Sequence, residues 1–221
     1  NNSDGRIVFG KKSAIVTINS EIPYAGRKRF TIAHELGHYE MHRNNNTHLN
    51  DNAASLEYFK TGHQETEANE FATELLMPQN QFVEKANSKK FSPALLQELA
   101  EYFKTSLTSV AFRYAALGNH PIFIFHSHNG KLWYWKCSPF YSTVEHFLRA
   151  KDLNKLPVPS DSVAAEFFNE KTIYRGKDEV QQISKDVWFE TRGYDNEESF
   201  NEFCIVTPNY NTVISIVWST K

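Results

Sequence analysis

The residues best equipped for chemistry lie in RFTIAHELGHYEMH, residues 29–42. His34 and His38 are four positions apart, so on a helix both imidazoles leave one face and can grip one metal ion. Glu35 follows about 100° round the helix. From there its carboxylate can take a proton from water without binding the metal. Two ligands and one general base make the hydrolytic pattern His-Glu-x-x-His. A chain of this length and composition spells that pattern by chance with probability roughly 0.03, so the pentapeptide needs support from elsewhere.

A catalytic zinc site needs a third protein ligand and an open position. One arrangement puts a third His six residues past the second, with a Gly midway. Here those positions hold Asn44 and Met41. His42 lies one turn beyond His38, about 6 Å along the axis, and reads as a helix-end histidine facing the last carbonyls. The other arrangement draws a Glu from a second helix. ETEANEFATELLMP, residues 65–78, suits it: Glu65, Asn69, Ala72 and Leu76 share a face, with Ala68 and Leu75 beside them. Glu65 is the expected ligand. Glu67 competes, but faces away if Ala68 and Ala72 pack inward. Asn69 is placed to accept from the far N–H of a ligating His and fix its tautomer. Gly37, which costs about 0.5–1 kcal/mol in mid-helix relative to Ala, is expected to admit a closely packed segment. Phe30, Ile32, Ala33 and Leu36 are expected to bury the first helix. The ligand set suits Zn2+ and also accepts Mn2+ or Fe2+. His48, Tyr58 and His63 are all candidates for a second oxyanion donor.

The elements that must position these groups are legible from patterning. RIVFGKKSAIVTIN, residues 6–19, reads as two strands around residues 10–12. The second is expected at a sheet edge, where an extended substrate segment can add. Residues 43–52 are polar and Asn-rich and read as a surface loop. The Glu helix is expected over residues 62–77, capped by Thr61 with Gln64 and stopped by Pro78. In residues 92–118, Ser92 caps and Pro93 opens one helix, a break at 104–106 leads to another, and Gly118 ends it. This pair resembles a helix-turn-helix. Beyond Pro121, IFIFHSHNGKLWYWK reads as a hairpin around Asn129-Gly130. FCIVTPNYNTVISIVW reads as another, with helical candidates near residues 143–150 and 162–169. The expected class is α+β, divided into residues 1–80, 81–118 and 119–221.

Composition narrows the function. The 221 residues carry a formal net charge of −2, with no overall basic excess for nucleic acid. The helix from Leu107 to Leu117 offers only Arg113 as a cation, so direct DNA binding is not expected. Cys137 and Cys204 form neither a disulfide framework nor a thiolate zinc cluster. No apolar run approaches the roughly 18 residues of a membrane span, and NNSDGRIVFG lacks an export-signal pattern. A cytoplasmic protein is the expectation.

Together, RFTIAHELGHYEMH and ETEANEFATELLMP resemble the ImmA/IrrE metallopeptidases, across residues 6–118. The resemblance implies a gluzincin-like domain with zinc on His34, His38 and Glu65 and with Glu35 as general base. It also implies a cytoplasmic endopeptidase that cuts a helix-turn-helix transcriptional repressor, relieving repression in a stress response or mobile-element induction. GKLWYWKCSPF and DVWFE resemble the C-terminal GAF-like sensor domain of longer family members. That implies a small-molecule ligand, for which Trp133, Trp135, Trp188 and Trp218 are candidate lining residues, although aromatics at strand spacing more often build core. The alternative is a non-catalytic regulator that docks DNA or a repressor, with a structural metal.

Overall fold

The computed structural model describes residues 4–10, 13–43, 49–51, 62–139, 156–170, 180–189 and 199–220. The chain divides into two compact units, one of Asn1–Phe82 with Ala100–Ser109, the other of Val83–Leu99 with Val110–Lys221. The architecture mixes helices with antiparallel sheets. Among the described residues no helix is long and apolar enough to cross a membrane.

In the first unit, β1 (Gly5–Phe9) and β2 (Ala14–Ile18) pair antiparallel, as their alternating Ile and Val residues suggest. β3 (Leu49–Asp51) pairs with the other side of β1, giving the order β2-β1-β3. Among the described strands β2 is therefore an edge, with Ile15 and Val16 exposed. The helix α1 (Ala25–His42) follows Tyr24. Arg27 bonds Asp4 through Nε at 2.7 Å, joining the start of α1 to the residue before β1.

The partner helix is α2 (His63–Leu76). It begins after Gly62 with no side-chain cap, and the expected Thr61 cap lies outside the described residues. Its inner face is Ala68, Asn69, Ala72 and Thr73. Leu75, expected on that face, is instead exposed, because the stripe turns toward Thr73. Ile32 and Leu36 of α1, expected inside, are also exposed, while Thr31, Ala33, His34, Glu35 and His38 take the buried face. The apolar residues at 32 and 36 thus line the outer face, and the polar ones carry the packing.

Gly37 provides the close approach its sequence position suggested. A Cβ there would stand 3.1 Å from Ala68 Cα and 3.2 Å from both Ala68 O and Phe71 Cβ. The first two are backbone atoms, which have little room to yield.

Next along the chain come α3 (Gln79–Ala86), α4 (Pro93–Phe103) and α5 (Leu107–Leu117). Ser92 Oγ accepts from Leu95 N at 3.2 Å, with Pro93 as first helical residue. Lys104 takes a positive φ of 53° at the break, and Gly118 N donates to Tyr114 O after α5. The division between the units falls inside both α4 and α5.

The second unit holds a five-stranded antiparallel sheet, made of β4 (Phe123–His128), β5 (Lys131–Cys137), β6 (Gln181–Ser184), β7 (Ser199–Thr207) and β8 (Thr212–Ser219) in the order β5-β4-β8-β7-β6. Asn129 and Gly130 both adopt positive φ, 51° and 73°, as a type I′ hairpin turn demands. The helix α6 (Val163–Glu170) falls where the second helical candidate was expected; the first, near 143–150, lies outside the described residues. One face of the sheet buries Phe125, which stacks on Trp188 with centroids 4.2 Å apart. Glu202 of β7 is fully buried and accepts from Val163 N at 3.0 Å and Trp188 Nε1 at 3.2 Å. It anchors the first turn of α6 to the sheet, and burial pushes its carboxyl above the ordinary range.

Filling the gap at Gly37 should overpack the helix pair. Gly37→Leu is expected to cost about 1–3 kcal/mol, read as a fall in the urea midpoint. An unchanged midpoint would show that α1 and α2 can separate there freely.

Candidate metal centre

Site residues from three segments meet in the first unit. α1 places His34 and His38 one turn apart on its buried face, both with no solvent exposure. Their Nε2 atoms stand 2.9 Å apart. α2 brings Glu65 over the pair, with Oε2 at 3.2 Å from His34 Nε2 and Oε1 at 3.3 Å from His38 Nε2. Among the described residues these three form a group whose ligand atoms all lie within 4.8 Å of one another. Ligand atoms set tetrahedrally around zinc at about 2.0–2.1 Å stand about 3.3 Å from each other, so the observed spacing fits one such ion.

The donor chemistry supports the same fit. A neutral imidazole that ligates through Nε2 carries its proton on Nδ1 and needs an acceptor there. His34 has one: its Nδ1 lies 2.9 Å from Asn69 Oδ1, the contact expected from the sequence. His38 has one too, from a residue the sequence suggested for another task. His42 does not face the last carbonyls of α1; it is buried, with Nδ1 2.9 Å from His38 Nδ1. Its Nε2 in turn lies 3.0 Å from Glu67 Oε2. Glu67 thus stands outside the ligand group, as its place on the helix suggested, but it does not merely face solvent. His63 completes the row, with Nδ1 3.1 Å from Glu67 Oε1 and its side chain largely exposed. His48 and Tyr58, the other oxyanion candidates, lie outside the described residues.

Glu35 is fully buried on the side facing the sheet. A Cβ added at Gly5 would collide with Glu35 Oε1 and with Thr31 Cγ2. The glycine that opens β1 therefore makes room for the Glu35 carboxyl, a role missed in the sequence. The only signal was a glycine at a strand position, which can mark close approach of another group.

Glu65 carries the clearest electrostatic mark. Burial alone would raise its carboxyl, but the hydrogen bonds and charges of His34 and His38 outweigh that and bring it down to about 2. At Glu67 the hydrogen bond from His42 is the foremost cause of a lowered value.

Two histidines from a helix bearing His-Glu-x-x-His, met by a carboxylate from a second helix, define a candidate metallohydrolase. Comparison with known families agrees. The model for Peptidase M78, the IrrE N-terminal-like domain, matches residues 1–114, and the chain belongs to this family. Among solved structures, a Mycobacterium tuberculosis transcriptional regulator aligns with a TM-score of 0.57, covering 96% of this chain and 61% of its own, at 11% identity. That likeness is one of fold, and the present chain spans about three fifths of the regulator's length. No curated protein matches the sequence.

The lowered carboxyl has a stability consequence in the metal-free protein. A group held down on folding contributes fully above its ordinary value of 4.5 and loses that contribution as pH falls toward about 2. The stability difference between wild type and Glu65→Gln should therefore shrink across that window. Urea midpoints at several pH values will check it; a constant difference would contradict the histidine–carboxylate pairing.

Proposed function

We propose that the chain is a zinc-dependent endopeptidase whose metal is held by His34, His38 and Glu65. The observation that carries this reading is the convergence of His34, His38 and Glu65, whose ligand atoms all lie within 4.8 Å of one another, beside a glutamate one residue along from the first ligand. Membership of the Peptidase M78 family supports it. Mn2+ or Fe2+ can substitute on the same ligands.

A bound zinc supplies Lewis acidity toward the scissile carbonyl and the attacking water. Glu35 acts as general base, taking the water's proton and returning it to the leaving amine. Gly5 keeps the space its carboxyl needs. Asn69 holds His34 in the ligating tautomer. The substrate is an extended peptide that adds beside the open edge of β2, where main-chain hydrogen bonds give affinity. Ile18, the β2 residue opposite Gly5, marks the end of that edge nearest Glu35.

The substrate class is a helix-turn-helix transcriptional repressor in the cytoplasm, cleaved to relieve repression in a stress response or mobile-element induction. A solved transcriptional regulator of similar fold is consistent with such a setting. In this scheme residues 1–80 hold the catalytic machinery and residues 81–118 form a helix-turn-helix-like docking segment. Residues 119–221 act as a GAF-like regulatory domain that answers to a small molecule. The buried Trp188 and Trp218 serve that domain as core.

Metal analysis paired with Glu35→Gln tests the proposal against candidate helix-turn-helix repressors. The wild type should bind about one zinc per chain and cut the repressor. Glu35→Gln should bind zinc equally and cut at least about 100-fold more slowly. Zinc binding with undiminished function in Glu35→Gln would favour the non-catalytic regulator.

A further inference from the structure

Resting on the metal-site reading above, we propose that His42 and Glu67 are positioning residues for the ligand His38, forming a carboxylate–histidine–histidine row that ends at the metal. For His38 to offer Nε2 to a metal, its remaining proton must sit on Nδ1. The atom facing that proton at 2.9 Å is His42 Nδ1, which can accept only if it is bare. His42 is then the Nε2–H tautomer, and that N–H points at Glu67 Oε2, 3.0 Å away. Each contact has one donor and one acceptor, so the row has a single direction. Glu67 accepts from His42, His42 accepts from His38, and His38 faces the metal with its lone pair.

Helix geometry makes the arrangement economical. His34, His38 and His42 are successive members of one i, i+4 stripe on α1. Three such imidazoles do not converge on one ion, because each turn advances about 5.4 Å. The third is left to support the second. α2 answers in kind, with Glu65 to the ligand pair and Asn69 to His34 from one stripe, and Glu67, off that stripe, to His42.

The two ligands are thereby supported unequally. His34 donates to a neutral amide, whereas His38 donates to an imidazole that itself donates to a carboxylate. An anion at the end of such a row strengthens each bond along it and raises the basicity of the ligating nitrogen. Glu67 is held from its other oxygen by His63, at 3.1 Å. The row therefore runs from the buried ligand to the partly exposed Glu67.

The test is zinc affinity, by competition with a chromophoric chelator, together with 15N NMR of the imidazoles in the zinc-loaded protein. His42→Phe and Glu67→Ala should each weaken zinc binding about 10- to 100-fold. His42→Asn, whose side-chain oxygen can stand in for Nδ1, should restore most of the loss. Glu67 is partly exposed, so Glu67→Ala should fold even if His42→Phe does not, as circular dichroism would show. The spectra should show His38 protonated on Nδ1 and His42 on Nε2. A merely structural role for His42 predicts no such tautomer and no effect of Glu67→Ala on zinc affinity. Wild-type affinity in Glu67→Ala, or a proton on His42 Nδ1, overturns this proposal alone. Failure of the wild type to bind zinc, with Glu65→Ala indistinguishable from it, overturns the metal site and this proposal together.

Discussion

The first unit is organised around a requirement of imidazole chemistry: a ring nitrogen that faces a metal must be bare, so its other nitrogen must give its proton to something. Two buried histidines impose that need twice. The polar face of α2 meets it. Asn69 serves His34, Glu67 reaches His38 through His42, and Glu65 faces both rings from above. These groups come within reach only if α2 lies almost backbone to backbone on α1. Small Ala68 and Ala72 on one helix and Gly37 on the other permit that approach.

The helices leave Glu35 facing the sheet, where Gly5 of β1 gives it space. Strand register thus matters to the site although no strand supplies a ligand. Shifting β1 by one residue would bring the larger Asp4 or Arg6 toward the carboxyl. The second unit is assembled on ordinary lines, with an aromatic core against one face of an antiparallel sheet. Its one buried carboxyl, among the described residues, is Glu202, and its partners are structural: a helix N-terminus, an indole N–H, the Cys204 thiol and the Ser215 hydroxyl.

Much of this was legible in the sequence because the deciding signals are local. His34 and His38 share a face through the helical period alone, and Glu65 and Asn69 follow from the same period on the next helix. Asn129-Gly130 specifies its turn because few other residues accept two positive φ values in succession. Ser92-Pro93 marks a helix start for similar reasons. What was not legible depends on contacts between distant segments. His42 read as a helix-end histidine facing the last carbonyls until α2 set Glu67 against it. Gly5 has no visible purpose without the helix that crosses it. Ile32, Leu36 and Leu75 misled because apolarity was taken to mark the inner face, whereas here the inner face is polar and its purpose is the site.

Gly37 carries a consequence beyond packing. It lies between the two histidines in sequence, and Ala68 lies three residues past Glu65, so their contact sets how far the carboxylate stands from the imidazoles. That distance is the bite of the ligand set. A rigid bite favours ions of one radius and leaves larger, oxygen-loving ions such as calcium poorly held. In the proposed metal site, selectivity would thus be gauged by a contact between two small residues, neither of which is a proposed ligand.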